Sequence, residues 1–297
     1  MAERLTLVEC PRDAMQGIKA FIPTQLKIKY LTTLLNQGFD VLDCGSFVNP
    51  ESIPQMADTA EVVQAISEIE TRTKLLVIVA NERGALRAVA YPKIKYLGFP
   101  LSVSETFQRR NTNASRDEAF RRLARIQDIA VASGKEVVCY LSMAFGNPYG
   151  DLWSASEVAD WASKIASLGI RTISLSDTIG SANSQQLGDM FTEIHHKLPH
   201  VQIGVHLHAK PNEWFEKIQA AYEHGCRRFD AALGGFGGCP MAKDDLVGNI
   251  PSEEAFAWLS TQQSTELIPN INWVQLKHQA FEVYAGNDNE LTLIWEN

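Results

Sequence analysis

The sequence has no apolar run long enough to cross a membrane. Its longest aliphatic stretch covers residues 75–80, whereas a membrane-spanning helix needs about 20 apolar residues in a row. Residues 1–4 also lead into no apolar core of the kind found in secretory signals. We therefore expect no membrane partner and no export from the cell.

An excess of positive charge is also absent. The 27 Lys and Arg residues are outnumbered by 35 Asp and Glu residues, which gives a formal net charge of −8. This charge disfavours a nucleic acid or an anionic membrane as the main partner. An anionic small-molecule substrate would need lysine or arginine side chains placed locally.

Paired cysteine spacings are missing as well. The cysteines are odd in number and widely spread, and none of them shows the short spacing of a structural zinc site: Cys10, Cys44, Cys139, Cys226 and Cys239. Isolated thiols of this kind are typical of a reducing compartment. We predict free cysteines and a cytoplasmic protein, with an organelle matrix as the open alternative.

No linker, low-complexity tract or repeat divides the 297 residues. Short β-branched runs alternate with stretches that carry apolar residues at helical spacing. Strands are predicted at 5–10, 39–44, 75–80, 95–101, 136–142, 172–177, 202–208 and 227–233. Eight alternations in this length predict an α/β protein, a (β/α)8 TIM barrel. A doubly wound open sheet is the alternative, although no Gly-x-Gly-x-x-Gly follows any strand.

The helical segments come between most of these strands. They are predicted at 24–37, 115–132, 154–167 and 211–224, with another capped by Asn183 or Ser184. Ser154 and Glu157 have the spacing of a capping box, and the interval from 75 to 95 leaves little room for a helix. Residues 270–284 predict an extra helix. We expect one barrel domain over 1–297, with a C-terminal helical extension from about 265 and a homo-oligomer, a dimer, as the assembly.

Two histidines stand two positions apart near the end of a predicted strand. Successive side chains of a strand point to opposite faces, so His206 and His208 point the same way. Two imidazoles on one face can bind one metal ion together. A pair of structural histidines is the alternative, and a metal ion would need ligands from other strand ends.

Polar side chains follow nearly every predicted strand. In a barrel of parallel strands, the loops after the strands meet on one face and build the active site. The side chains that this rule brings together include Arg12, Asp13, Gln16, Asp43, Arg109, Arg110, Asn111, Ser142, Asp177, Thr178, His206, His208, Cys239, Asn249 and Glu253. Each has a structural explanation by itself, as a turn or cap residue, but the joint pattern predicts a catalytic site.

Five segments, in this order and at matching spacing, resemble motifs of the 3-hydroxy-3-methylglutaryl-CoA (HMG-CoA) lyase family. They are residues 8–16 with Arg-Asp-x-x-Gln, residues 43–48 followed by Pro54-Gln55-Met56, residues 174–180, the pair His206-Leu207-His208, and Gly237-Gly238-Cys239-Pro240 with Gly248-Asn249. The resemblance runs from about residue 5 to 260. The Gly-Gly-Cys-Pro loop separates this lyase from its barrel relatives, so the resemblance is fairly specific.

The resemblance implies a barrel with a divalent cation at its mouth. Arg12 would face the substrate thioester, and Cys239 would lie on a mobile loop and take part in proton transfer. Imidazole, carboxylate and amide ligands suit Mg²⁺ or Mn²⁺. Carried over residue by residue, the implied metal ligands are Asp13, His206, His208 and Asn249.

The same resemblance implies further catalytic and substrate-binding positions. Asp43 stands where the family usually has Glu, so the acid is kept with a shorter reach, while Asp177 and Glu253 match other acidic positions. The implied contacts to an acyl-CoA substrate are Gln16, Lys19, Arg110 and Asn111.

Two departures from the family pattern lie beside the mouth. After His208 the family usually continues Asp-Thr-Tyr-Gly, whereas residues 209–212 here are Ala-Lys-Pro-Asn. The segment between Cys239 and Asn249 is one residue longer and carries extra charges at 243–245. Both departures leave the implied metal ligands intact but keep the exact acyl substrate open.

These residue types fit a retro-Claisen cleavage of a tertiary alcohol with a carboxylate arm and a thioester arm. A bound cation orients the hydroxyl, a carboxylate or histidine accepts its proton, Arg12 stabilises the thioester enolate, and Cys239 protonates the new methyl carbon. The candidate bases are Asp13, Asp43, Asp177 and the histidines. Two alternatives stay open: a related Claisen-type synthase or keto-acid aldolase, and a non-catalytic barrel.

Overall fold

The computed structural model describes residues 4–210, 212–237, 247–262 and 271–284. Eight parallel strands run through them: β1 (Thr6–Glu9), β2 (Val41–Ser46), β3 (Lys74–Ile78), β4 (Ile94–Ser102), β5 (Glu136–Ser142), β6 (Thr172–Asp177), β7 (Gln202–Ala209) and β8 (Arg228–Ala231). Neighbouring strands pair in chain order, and β8 pairs back with β1 to close the ring. The predicted (β/α)8 barrel is confirmed, and the open sheet is excluded.

Helices surround this ring of strands. They are α1 (Pro11–Gln16), α2 (Thr24–Leu35), α3 (Thr59–Ile66), α4 (Glu82–Val89), α5 (Glu105–Thr112), α6 (Arg116–Ala132), α7 (Ala155–Ser167), α8 (Ser184–Lys197), α9 (Trp214–Glu223), α10 (Ser252–Thr261) and α11 (Trp273–Tyr284). Short 3₁₀ helices occupy Pro54–Met56 and Leu233–Gly235. The predicted segments correspond to α2, α6, α7, α8, α9 and α11, and α4 occupies the short interval after β3.

The strands are buried on both faces, because helices cover the outside of the ring and side chains fill its inside. Residues 75–79 and 137–141, for example, are buried without interruption. A glycine makes room for one large ring in this interior. A Cβ on Gly98 would lie 2.6 Å from the Ile78 side chain and 3.0 Å from the Tyr140 ring.

One predicted helix cap forms only in part. The Ser154 side chain accepts a hydrogen bond from the Glu157 backbone at the start of α7. The reciprocal half of the capping box is missing, because the Glu157 carboxylate accepts a 2.8 Å bond from Arg116 on α6 instead. Complete capping boxes form at Ser115 with Glu118 and at Asn183 with Gln186.

The last helix, α11, packs on its own chain. Its Tyr284 hydroxyl lies 3.1 Å from the Tyr30 hydroxyl of α2, and its ring packs against Phe236. Val274 on the same helix is exposed, and the predicted dimer stays a prediction. Within the described part of the chain, no helix combines the length and apolar character needed to span a membrane.

A short antiparallel strand extends the barrel rim at β7. Strand β9 (Gly248–Asn249) pairs His208 with Asn249 and Ala209 with Gly248. Gly248 is required here, since a Cβ would lie 2.2 Å from the Gly235 carbonyl oxygen. This pairing brings residue 249 to the carboxyl end of the barrel, beside the two histidines.

Candidate active site at the carboxyl end of the barrel

Asp13, His206 and His208 converge at the carboxyl end of the barrel. One ligand atom from each of the three buried residues lies within 4.8 Å of the other two. The histidines share a face of β7, as the period of a strand predicts. Asp13 reaches them because α1 begins two residues after β1 and carries its first turn across the mouth.

Asn249 joins this cluster through its amide. Its Nδ2 donates to Asp13 Oδ2 at 2.8 Å and to the Phe236 carbonyl oxygen at 2.7 Å. Its Oδ1 is buried and has no hydrogen-bond partner among the described residues. The structure therefore brings together all four residues that the sequence predicts as metal ligands, and leaves an amide oxygen available there.

The backbone partner of His208 determines which ring nitrogen is free. His208 Nδ1 lies 3.2 Å from the Thr178 carbonyl oxygen. A carbonyl only accepts, so Nδ1 carries the hydrogen and Nε2 keeps its lone pair. That Nε2 is buried and has no partner in the described residues. In His206, Nε2 is the nitrogen on the Asp13 side, 3.9 Å from Asp13 Oδ2, and Nδ1 lies 3.6 Å from Asp230 Oδ2.

The charges in the cluster suit a divalent cation. Burial alone would raise the pKa of Asp13, but the Arg12 guanidinium and the two imidazoles outweigh it and lower the pKa to about 2. Burial and the neighbouring His206 lower the pKa of His208 to about 4. Burial also lowers the pKa of His206, but Asp230 and Asp13 more than offset this and raise it. An ionised carboxylate, a neutral imidazole and an unpartnered amide oxygen fit the donor set of a bound divalent metal.

A second group with metal-type ligands shares His206. Ligand atoms of Cys10, His206 and Asp230 also lie within 4.8 Å of one another. Burial raises the pKa of the Cys10 thiol well above its ordinary value, and a thiol that keeps its proton is a poor ligand for a cation. Asp13 has a lowered pKa instead, so the Asp13 group is favoured.

Arg12 lies beside the cluster with its guanidinium buried. Its Nε and Nη2 donate to Asp43 Oδ2 at 3.0 and 2.5 Å, and its Nη1 donates to Asp13 Oδ1 at 2.9 Å and Gln16 Oε1 at 2.8 Å. Gln16 Nε2 in turn donates to Asp13 Oδ1 at 2.9 Å. Asp13 Oδ1 thus accepts hydrogen bonds from Arg12 and Gln16 of the same helix, while Oδ2 faces His206.

The two predicted catalytic acids have different surroundings. Burial raises the pKa of Asp43 to about 6, against the lowering effect of Arg12, and Asp43 Oδ1 has no partner in the described residues. Asp177 accepts from the backbones of Ser181 at 2.8 Å and Ala182 at 2.9 Å, and from Lys217 at 3.1 Å. Both of its oxygens are occupied, so the geometry favours Asp43 over Asp177 as a base.

The predicted substrate-binding residues separate into two groups. Gln16 belongs to the cluster, whereas Lys19, Arg110 and Asn111 are exposed and take no part in it. Arg110 lies over the Tyr149 ring, 4.7 Å from its centroid. All three follow β1 or β4 and therefore stand on the same end of the barrel as the cluster.

Buried charged residues that the motif comparison did not select surround the site. Glu9 accepts from the Leu233 backbone at 2.9 Å and from the Ser252 hydroxyl. The others are Lys217, Arg228 and Asp230. The half-buried Glu253, an acidic position that the resemblance did select, accepts from the Gly234 backbone at 2.9 Å. A sequence signal existed for Arg228 and Asp230, because they alternate with Phe229 along a strand and so share its inner face.

Cys239 lies outside the described residues, and its predicted role stays a prediction. The residues on either side of 238–246 are described, and Gly237 lies against the cluster. A Cβ on Gly237 would lie 2.8 Å from both Asn249 Nδ2 and the Asp13 carbonyl oxygen, and Val247 packs against Gly180. Gly237 has φ of 92°, a conformation that favours glycine.

Comparisons with known proteins find HMG-CoA lyases among the relatives of this chain. A family model described as HMGL-like matches residues 6–281. The mitochondrial hydroxymethylglutaryl-CoA lyase of Mus musculus is 34% identical over 255 residues, which cover 86% of this chain and 78% of the relative. The cytoplasmic 3-hydroxy-3-methylglutaryl-CoA lyase of Danio rerio is 32% identical over 244 residues, 82% of this chain and 72% of the relative.

Solved structures agree with these relatives. The HMG-CoA lyase of Brucella melitensis superimposes with a TM-score of 0.86 at 28% identity, covering 97% of this chain and 100% of that chain. An HMG-CoA lyase of Acinetobacter baumannii, solved with coenzyme A and 3-methylmalate, has a TM-score of 0.83 at 30% identity and covers 95% of this chain and 90% of its own.

Proposed function

The chain belongs to the HMGL-like family, and we propose that it is a divalent-metal-dependent carbon–carbon lyase that cleaves HMG-CoA to acetyl-CoA and acetoacetate. The observation that carries the proposal is the convergence of Asp13, His206 and His208 with Asn249 beside the buried guanidinium of Arg12. A retro-Claisen cleavage needs these groups together: ligands for an orienting cation, a base for the hydroxyl and a fixed positive charge for the enolate.

The metal ligands in this proposal are Asp13 Oδ2, His206 Nε2, His208 Nε2 and Asn249 Oδ1. Two of these atoms, His208 Nε2 and Asn249 Oδ1, are buried without partners among the described residues, which supports the assignment. A bound Mg²⁺ or Mn²⁺ would orient the tertiary hydroxyl and a neighbouring oxygen of the substrate and lower the pKa of that hydroxyl.

Asp43 is the proposed base. Its pKa of about 6 means that the carboxylate is mostly ionised at neutral pH and still able to hold a proton. Arg12 holds Oδ2 through two hydrogen bonds, and Oδ1 has no partner among the described residues. Oδ1 can therefore accept the proton of the substrate hydroxyl. Arg12 would then stabilise the negative charge that develops on the thioester oxygen.

Cys239 is the proposed proton donor to the methyl carbon of acetyl-CoA. The proposal rests on the Gly-Gly-Cys-Pro resemblance and on the position of Gly237, two residues earlier in the chain, against Asp13 and Asn249. For the carrier end of the substrate we propose Lys19, Arg110 and Asn111, which are exposed on the same end of the barrel.

The assay that tests the function uses HMG-CoA with Mg²⁺ or Mn²⁺. We expect equal amounts of acetyl-CoA and acetoacetate, no products after chelation of the metal, and recovery when the metal is restored. Formation of a condensed acyl-CoA from acetyl-CoA and a keto acid, without HMG-CoA cleavage, would instead identify a synthase. Absence of both reactions in metal-loaded protein would overturn the proposal.

Two broader properties belong to the same proposal. We propose a cytoplasmic protein, since the described cysteines are free and buried, and relatives with both mitochondrial and cytoplasmic names exist. We also propose a dimer, and light scattering on protein eluted from a size-exclusion column would test this directly. A monomer at working concentration would remove the dimer from the proposal without affecting the reaction.

A further inference from the structure

A buried lysine on α9 connects three elements behind the candidate metal centre. Lys217 Nζ donates to the His208 carbonyl oxygen at 2.8 Å, to the Gly180 carbonyl oxygen at 2.8 Å and to Asp177 Oδ2 at 3.1 Å. An ammonium group has three donors, so all of them are used. The side chain is only 6% exposed and that of Asp177 is 1% exposed.

Simple packing does not explain a lysine at this position. Removing an ammonium group from water carries a large free-energy penalty unless it is paired and hydrogen-bonded. Lys217 is also the fourth residue of α9, and a positive charge near the start of a helix opposes the helix dipole. An apolar side chain would avoid both penalties, so the three bonds of Lys217 are the feature that requires an explanation.

The three acceptors lie around one turn. Asp177 ends β6 and also accepts from the backbones of Ser181 and Ala182, so its carboxylate holds the turn that contains Gly180. Lys217 fastens that turn to the end of β7 through the His208 carbonyl. The Thr178 carbonyl in the same turn accepts the hydrogen of His208 Nδ1 at 3.2 Å.

We infer that Lys217 is a positioning residue for His208. By fixing the turn to β7, it keeps the Thr178 carbonyl beside Nδ1, which selects the Nδ1–H tautomer and directs the lone pair of Nε2 into the cluster. Partners outside the ligands commonly tune metal affinity in this way. The inference rests on the proposed metal site but adds a residue that touches neither metal nor substrate.

The test compares Lys217→Met with Lys135→Met in the full chain. Lys135 is a matched control, because it is also buried and donates to two backbone carbonyls, those of Tyr91 and Pro92, at the amino end of the barrel. Binding of Mn²⁺ alone is measured by electron paramagnetic resonance, and the His208 tautomer by ¹⁵N shifts of histidine-labelled, metal-free protein. Thermal unfolding of both variants is recorded alongside.

We expect Lys217→Met to weaken Mn²⁺ binding by about 10- to 100-fold, the range for such partners elsewhere, and to mix the His208 tautomers. Lys135→Met should lose thermal stability but keep the wild-type Kd and tautomer. If Lys217→Met does not fold, Lys217→Gln carries the same test with the same expected direction. An unchanged Kd and an unchanged tautomer in a folded Lys217 variant would overturn the role of Lys217 and leave the proposed metal site standing. A wild-type protein that binds no Mn²⁺ would overturn the proposed metal site itself.

Discussion

Replacing Arg12 by lysine keeps a positive charge at the site but removes the planar guanidinium group, whose donors bond to Asp43, Asp13 and Gln16. In the native protein three nitrogens of the guanidinium make four hydrogen bonds of 3.0 Å or less, two to Asp43, one to Asp13 and one to Gln16. A lysine ammonium has three donors on a single atom, so at least one bond is lost. It also cannot reach carboxylates on two sides in the same geometry.

The magnitudes follow from these bonds. A hydrogen bond to a charged group contributes about 1.5–3 kcal/mol, so one lost bond lowers the free energy of unfolding by that order. Turnover should fall by about 10²–10³, the effect of removing one fixed donor from an oxyanion site.

With fewer bonds from residue 12, burial should raise the pKa of Asp43 further above about 6. Since the base must be ionised, activity that rises with pH through about 6 should rise at a higher pH in the variant.

The measurement is kcat and kcat/KM from pH 5 to 9 at saturating metal, with HMG-CoA as substrate. Arg4→Lys is the control, because Arg4 also pairs with an aspartate, Asp40, at 2.6 Å but is exposed; it should change neither stability nor turnover measurably. If Arg12→Lys keeps full turnover, and its activity rises at the same pH as that of the native protein, then Arg12 has only a structural role.

Three further predictions concern the proposed metal ligand His208, the loop residue Cys239 and the buried carboxyl group of Glu9. His208→Ala should abolish most metal binding and activity with little loss of Tm, because its side chain stands at a strand end in the mouth; a large loss of Tm with activity intact would make the histidine structural. Cys239→Ser should bind metal and lose most turnover, and Cys239 should alkylate faster than the buried cysteines; mass-spectrometric mapping that finds another cysteine labelled first would contradict this. Burial raises the pKa of Glu9 from 4.5 to about 8, so the folded state holds a proton that the unfolded state releases, and stability should fall as pH rises from 4.5 through 8. Glu9→Gln should flatten that slope in urea unfolding, and equal slopes for both proteins would refute the assignment.

Much of the fold was predictable because its local patterns agree with its tertiary structure. Runs such as residues 136–142 and 172–177 are strands at the predicted bounds, since each carries the β-branched residues that favour strands. The pair His206 and His208 was predictable for the same kind of reason, as period two places both on one face.

Residues whose role depends on distant partners were harder to predict. Lys217 falls on the buried face of α9 with Ala220 and Ala221, three and four positions on, and that spacing was the only local signal. Its acceptors come from β6, β7 and the turn between them, which no local pattern specifies. The capping box at Ser154 failed in the same way, since Arg116 from another helix takes the Glu157 carboxylate.

The bond between Asn249 and Asp13 also has a consequence for how the molecule is made. These residues lie 236 positions apart in the chain, so a growing chain has no complete ligand set until nearly the whole barrel has been synthesised. Closing so long a loop adds little entropy cost over a shorter one, because that cost grows only with the logarithm of length. An ion present at 100 times its Kd would then stabilise the finished protein by about 2.7 kcal/mol and give no such advantage to any truncated chain that ends before residue 249.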